Sequence, residues 1–185
     1  PEIDALVTES APDEEINYFV DTIRPKQQFY QIGTALASLA DMYTATGHSR
    51  YLDASLRLAE FEQTLNPEGL HWPSYCKIGW GAAELYAITG SPAHRAMATN
   101  VSQITFIDAQ TKQGGWEDMF YPLKDHGAWE SVEYDGSGRV PEKLPDDGTW
   151  VKLAGHEITG EFLGEMGRTL AVFKNALRHV SDLSL

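Results

Sequence analysis

Residues 75–116 read YCKIGWGAAELYAITGSPAHRAMATNVSQITFIDAQTKQGGW. The part from Lys77 to Thr89 is rich in small residues, Gly79, Gly81, Ala82 and Ala83, and predicts a helix that packs closely and sits centrally. Gly90 stands where a glycine commonly ends a helix. Pro92, suited to a first turn, opens a second helix running to Ala109, with Ala93, Met97, Val101 and Ile104 on one face. Gln110 and the turn Gly114-Gly115-Trp116 follow. The stretch is therefore expected to be one antiparallel helical hairpin feeding a polar and aromatic rim.

The chain before it repeats the pattern. LADMYTATG at 39–47 matches AAELYAITG at 82–90 in its small, acidic, apolar, Tyr and Thr-Gly positions, so that Gly47 answers to Gly90 43 residues later. That period is the length of a helix pair and marks helical-repeat or toroid architectures. In the earlier unit, Ile32, Ala35, Leu36, Leu39, Met42 and Tyr43 give a buried helical face from Lys26 to Gly47. The helix after it places Tyr51, Ala54, Leu58, Phe61 and Leu65 on one face and Asp53, Arg57 and Glu60 on the other, and ends at Asn66-Pro67. A third unit is expected over 150–180, where Ile158, Phe162, Met166, Phe173 and Leu177 keep helical spacing.

Two stretches differ in kind. Residues 1–25 are acidic and poorly periodic, with one short helix expected from Glu14 to Ile23; the helical domain then runs over 26–185. Within it, 114–150 collects six glycines, Pro122, Pro141 and Pro145 and reads as a loop insertion, with a small β-hairpin near Asp135-Gly136-Ser137-Gly138. Loops this long in a compact domain are usually functional, and a lid or cleft wall is the expectation.

At 185 residues with 42% hydrophobic and 22% charged positions, the composition is that of one soluble globular domain. A formal charge of −13 argues against nucleic acid and anionic membrane partners, whose phosphates it repels. Cys76 is the single cysteine, which excludes an internal disulfide and a cysteine-rich zinc site. With no basic-then-apolar order in the first residues, a cytoplasmic location is favoured, and a start at Pro1 reads as a processed or excised piece. No run approaches the roughly 20 apolar residues of a membrane span.

The inner-helix ending LYAITG, with an outer helix beginning RYLDASLRLAEF, resembles the α/α-toroid enzymes: six-hairpin glycosidases, polysaccharide lyases and sugar epimerases. Gln110-Thr-Lys-Gln-Gly114-Gly-Trp116 is similar to the Gln-x3-Gly-x-Trp turn of squalene and hopene cyclases. The resemblance implies an all-α fold of antiparallel helical hairpins. A complete toroid has about twice as many hairpins, which implies a partial toroid, or one completed by a second copy or another chain. The acid motif of the cyclases is missing, since LPDDG with Asp146 and Asp147 lacks its first acid.

The resemblance also implies a cleft at the first turns of the inner helices. Carried onto this chain, the rim collects Gln28, Tyr30, Gln31, His71, Trp72, Tyr75, Lys77, Trp80, Trp116, Glu117, Asp118, Tyr121, Trp150, His156 and Glu157. Rings beside carboxylates suit a sugar, whose C–H faces stack on aromatics while its hydroxyls bond to acids. The expected substrate-binding residues are Trp72, Tyr75, Lys77, Trp80, Trp116, Tyr121 and Trp150, and the expected catalytic ones Glu117, Asp118, His156, Glu157 and Glu161.

Each has an ordinary alternative. Glu157, Glu161 and Glu165 fall one turn apart, the pattern of a solvated acidic helix face with Glu165 and Arg168 paired at i, i+3. Glu117 or Asp118 could cap a helix, and Trp80 could fill the core. His48, His94 and His179 read as surface, and Cys76 has no evident base beside it. Gly160 breaks an HExxH reading, and His71, His126 and His156 match no local metal spacing, so no metal or cofactor is expected. The function expected is a carbohydrate-active hydrolase, lyase or epimerase acting on a small molecule or oligosaccharide. The alternatives are a terpene-cyclase-like cavity with Asp147 as the acid, and a non-catalytic helical-repeat binding module.

Overall fold

The computed structural model describes residues 20, 22–23, 29–122 and 150–182. The expected helix from Glu14 and the hairpin near Gly136 lie outside them. The fold is all-α, built from antiparallel helical hairpins. Its helices are α1 (Tyr30–Thr46), α2 (Ser49–Glu62), α3 (Cys76–Thr89), α4 (Pro92–Val101) and α5 (Gly155–Asp182). Two short 3-10 turns, Pro67–His71 and Pro73–Tyr75, join α2 to α3, and α4 continues into a π-helical segment, Ser102–Asp108.

The 43-residue repeat holds down to its hydrogen bonds. Gly47 and Gly90 end α1 and α3 in the left-handed region, at φ 69° and 66°, where L side chains are strained. Each glycine N–H donates to the carbonyl of the matching tyrosine, Tyr43 or Tyr86, at 2.8 Å. Beside them Thr46 and Thr89 donate to the carbonyls of Met42 and Leu85 and accept the N–H of His48 and Ser91.

Helix α3 is central, packing against α1, α4 and α5. A Cβ on Gly33 of α1 would lie 2.2 Å from the Lys77 carbonyl carbon, and one on Gly81 would lie 2.5 Å from Leu36 Cβ. Contacts thus advance together along both helices, so α1 and α3 run parallel at close approach. Helix α5 does the same on the other side, where Lys77 meets Glu161, Trp80 meets Arg168, and Tyr86 meets Phe173 with ring centroids 5.7 Å apart. By contrast α4 runs antiparallel to α3, Gly79 facing Val101 and Thr89 facing His94. Three parallel helices therefore begin at one end of the molecule, with α2 and α4 behind them.

The expected faces of the two outer helices hold in part, with Val101 and Leu65 buried and Leu58 and Met97 packed against the core, but the most buried positions differ. On α2 the buried residues are Ser55, Ala59 and Glu62, while Phe61 is exposed. Close approach to α1 decides this: Ser55 donates to the Leu36 carbonyl at 3.0 Å, a contact that a larger side chain would push apart. On α4, His94 is buried rather than at the surface, its Nδ1 2.9 Å from Thr89 Oγ1, and burial lowers its pKa.

Part of the expected loop insertion is strand. β1 (Met119–Pro122) pairs antiparallel with β2 (Trp150–Leu153), Met119 opposite Leu153 and Pro122 opposite Trp150, so the two ends of the insertion meet. Where a third unit is expected, the described residues form one long helix, α5, in place of a helix pair. Gly160, Gly164 and Gly167 lie along it, and a Cβ on any of them would meet nothing within 4 Å.

Candidate active site

Lys77, Trp80 and Glu84 recur at i, i+3 and i+7 on α3 and face away from α4, towards α1 and α5. Around them the parallel packing sets Tyr30 of α1 and Glu161, Glu165 and Arg168 of α5. Lys77 Nζ is hydrogen-bonded to Glu161 Oε1 and stands 5.7 Å from the centre of the Tyr30 ring. Burial works against the Lys77 ammonium, but the Glu161 hydrogen bond and neighbouring negative charge outweigh it, and its pKa is raised. Trp80 donates its indole N–H to Glu84 at 3.2 Å, and the Arg168 guanidinium carbon lies over the Trp80 ring, 4.8 Å from its centre.

Two carboxyls here are pushed up by burial. Glu84 is raised by burial despite the Trp80 hydrogen bond, with Asp41 adding to the rise. Glu165 is 3% exposed; Arg168 donates to its Oε1 at 3.0 Å, while its Oε2 is buried with no hydrogen bond. Burial raises its pKa against the pull of Arg168 and Lys77. The Glu165–Arg168 pair anticipated from spacing does form, but against α3 rather than on a solvated face. Glu84 escaped the sequence reading, although its place seven residues after Lys77 on a helix already singled out would have found it.

The other expected residues divide into two groups. Trp72, Tyr75 and Trp116 are core, 3%, 2% and 4% exposed, and their ring faces are taken by neighbours. Trp116 stacks edge-on with Phe162 and donates to the Thr105 carbonyl at 3.0 Å; Tyr75 packs on Phe29 and donates to the buried Glu62 carboxylate. Burial raises both the Glu62 and the Tyr75 pKa. Cys76 is buried as well, its thiol pushed up to about 12 by burial, which leaves it a poor nucleophile.

Asp118, Glu157 and His156 gather instead at the start of α5. Asp118 Oδ1 accepts the Gly155 N–H at 2.7 Å and Oδ2 pairs with Lys152 at 2.5 Å; these two bonds lower its pKa. Glu157 reaches back to the Ala154 N–H at 2.8 Å, half of a capping box. Both carboxylates thereby hold the helix end. Glu117 is partly buried beside them and His156 is exposed. Tyr121 and Trp150 lie on the paired strands, and their side chains, like Gln28 and His126, are outside the described residues. His71 is exposed on its 3-10 turn.

Two grooves lie away from this face. One of about 330 Å³ separates α2 from α4 and is lined by Glu62, Leu70 and Met97; another of about 230 Å³ separates the π segment from α5, with Phe106, Met166 and Thr169. Among the described residues no three metal-ligating side chains converge, and no helix is long and apolar enough to cross a membrane.

The model of the family described as "Beta-L-arabinofuranosidase, GH127 catalytic domain" matches residues 7–132, more than half of the chain. The chain belongs to this family. Membership in GH127 sets it among the glycoside hydrolases, which are carbohydrate-active enzymes. The matched span includes α1 to α4, and with them Lys77, Trp80 and Glu84; Glu161, Glu165 and Arg168 lie beyond it. Comparison with curated proteins and with solved structures gives no match.

Proposed function

We propose that the chain hydrolyses glycosidic bonds on the face shared by α1, α3 and α5, with β-L-arabinofuranosides as its substrates. The family match carries the reaction class and the sugar. The face is supported by its chemistry. Glycoside hydrolysis needs one carboxyl that gives a proton to the leaving oxygen and one carboxylate on the other side of the reacting carbon. Two environments of that kind adjoin here: Glu161 against the Lys77 ammonium, and Glu84 and Glu165 pushed towards the neutral form by burial.

In this reading Glu161 is the carboxylate facing the anomeric carbon, Lys77 orients it and bonds to a ring hydroxyl, and Trp80 offers the ring face on which a sugar stacks. Glu117 and His156, at the same end of the molecule, are proposed to line the approach of the leaving group.

The test is release of 4-nitrophenol by the purified chain from 4-nitrophenyl β-L-arabinofuranoside, beside the pyranosides of arabinose, glucose, galactose and xylose. Release from the furanoside is expected, with Glu161→Gln lowering kcat/KM by about 10²–10⁴-fold. No release from any of these glycosides would reject the assignment.

A further inference from the structure

Arg168 lies over one face of the Trp80 ring, 4.8 Å from its centre, so a sugar that stacks on that face must displace it. The same guanidinium donates to Glu165 at 3.0 Å. One cation thus serves two partners. Its side chain is 57% exposed, so it can swing out into water, whereas the Glu165 side chain, 4% exposed, cannot follow it.

The other charged groups facing Glu165 are few. From α3 come the Lys77 ammonium, already engaged by Glu161, and the buried Cys76 thiol; from α5 itself comes Glu161, a like charge. No free cation among these stands ready to replace Arg168. With Oε2 already lacking a hydrogen bond, loss of Arg168 leaves a carboxylate buried with neither counter-ion nor donor. Burying such a charge is strongly unfavourable, and the group neutralises instead.

We infer that Arg168 is a gate: a sugar ring stacking on Trp80 displaces its guanidinium, and Glu165 then takes up one proton from solvent and becomes the acid that protonates the leaving oxygen. The inference rests on the hydrolase reading above and adds to it the source of the proton. The proton gained on binding passes to the leaving oxygen as the glycosidic C–O bond breaks, a water oxygen bonds to the anomeric carbon and gives its proton back to solvent, and the returning Arg168 restores the starting ion pair. Glu165 is then a catalytic residue and Arg168 a positioning one.

The experiment has two arms. In the free protein, carboxyl 13C chemical shifts of labelled glutamate follow Glu165 through pH, assigned by its disappearance in Glu165→Gln. Arg168→Gln should move the Glu165 midpoint upward, while Arg168→Lys keeps it near wild type; an unmoved midpoint in Arg168→Gln overturns the gate. In the second arm, methyl β-L-arabinofuranoside is titrated calorimetrically in buffers of different ionisation enthalpy. Uptake of close to one proton per sugar is expected for the wild type, and none for Glu165→Gln. Binding without proton uptake overturns the gate and leaves the hydrolase reading standing. Failure of the sugar to bind, together with no turnover of the 4-nitrophenyl glycosides, overturns both.

Discussion

Gly33 and Ile78 touch backbone to backbone: a methyl group on Gly33 would lie 2.3 Å from the Ile78 amide nitrogen. This crossing fixes how α1 sits on α3, and through α3 where Tyr30 stands relative to Lys77. Gly33→Ala should therefore cost about 3 kcal/mol, at the upper end of core overpacking because the obstacle is main chain. Gly160→Ala, with open space around it, should instead stabilise by about 0.5–1 kcal/mol. Urea unfolding of the two variants beside wild type checks both signs; equal effects would show that the crossing is looser than described.

Acid stability should depend on Asp118. Its pKa is lowered by Lys152 and the Gly155 N–H, so its contribution is present above the unfolded carboxylate pKa and is lost as pH falls through the folded one. Asp118→Asn keeps an acceptor for the Gly155 N–H but loses the charge that pairs with Lys152, and should lower stability at pH 7 by about 1 kcal/mol or less. As pH falls through the folded pKa and the wild-type group is protonated as well, the two proteins should converge. Melting temperatures across pH 2–7 would show it, and a constant gap at every pH would count against a role for the Asp118 charge.

Glu62 behaves in the opposite sense. Burial raises its pKa, so its stabilising contribution is complete below the unfolded value and is lost as pH rises through the folded one. Glu62→Gln keeps an acceptor for the Tyr75 hydroxyl and carries no charge. Its stability should change less between pH 4.5 and 8 than that of wild type, whereas Glu62→Ala, which strands the buried Tyr75 hydroxyl, should lose about 1–3 kcal/mol throughout. Denaturant midpoints at several pH values separate these outcomes.

Lys77→Met should uncouple binding from folding. The methionine keeps the apolar stem that packs beside Tyr30 and removes the ammonium held by Glu161. Half-exposed pairs of this kind contribute about 1 kcal/mol or less to stability, so the melting temperature should fall by only a few degrees. Glycoside turnover should fall by at least about tenfold, because Glu161 loses the group that orients it.

Periodicity made the helices legible because burial leaves a stripe in each. Ile32 and Leu36, or Ile158 and Phe162, announce their faces, and the two Thr-Gly endings announced the repeat. On the outer helices the register was only partly right: Val101 and Leu65 are buried as expected, and Leu58 and Met97 pack against the core. Ser55, Ala59 and His94 lie at the tightest contacts, where small or hydrogen-bonded residues replace large apolar ones, so the hydrophobic pattern points to the flanks. The candidate site was half legible, as a set of positions and not as a set of roles, for a related reason. Lys77, Trp80 and Glu161 could be picked out by position, but whether Glu157 faces a substrate or its own helix end, and whether Trp116 faces a cleft or Phe162, depends on distances that one-dimensional spacing does not carry.

The bare glycines of α5 bear on how the face moves. Each of Gly160, Gly164 and Gly167 costs a helix interior about 0.5–1 kcal/mol and offers no contact in return. Glu161, Glu165 and Arg168 are thus mounted on a helix whose order is imposed by its neighbours, while Lys77 and Trp80 ride on the tightly clamped α3. The expected behaviour is that of a rigid anvil and a yielding jaw, so that amide exchange slowed by a sugar, where one binds, should be slowed most along the jaw.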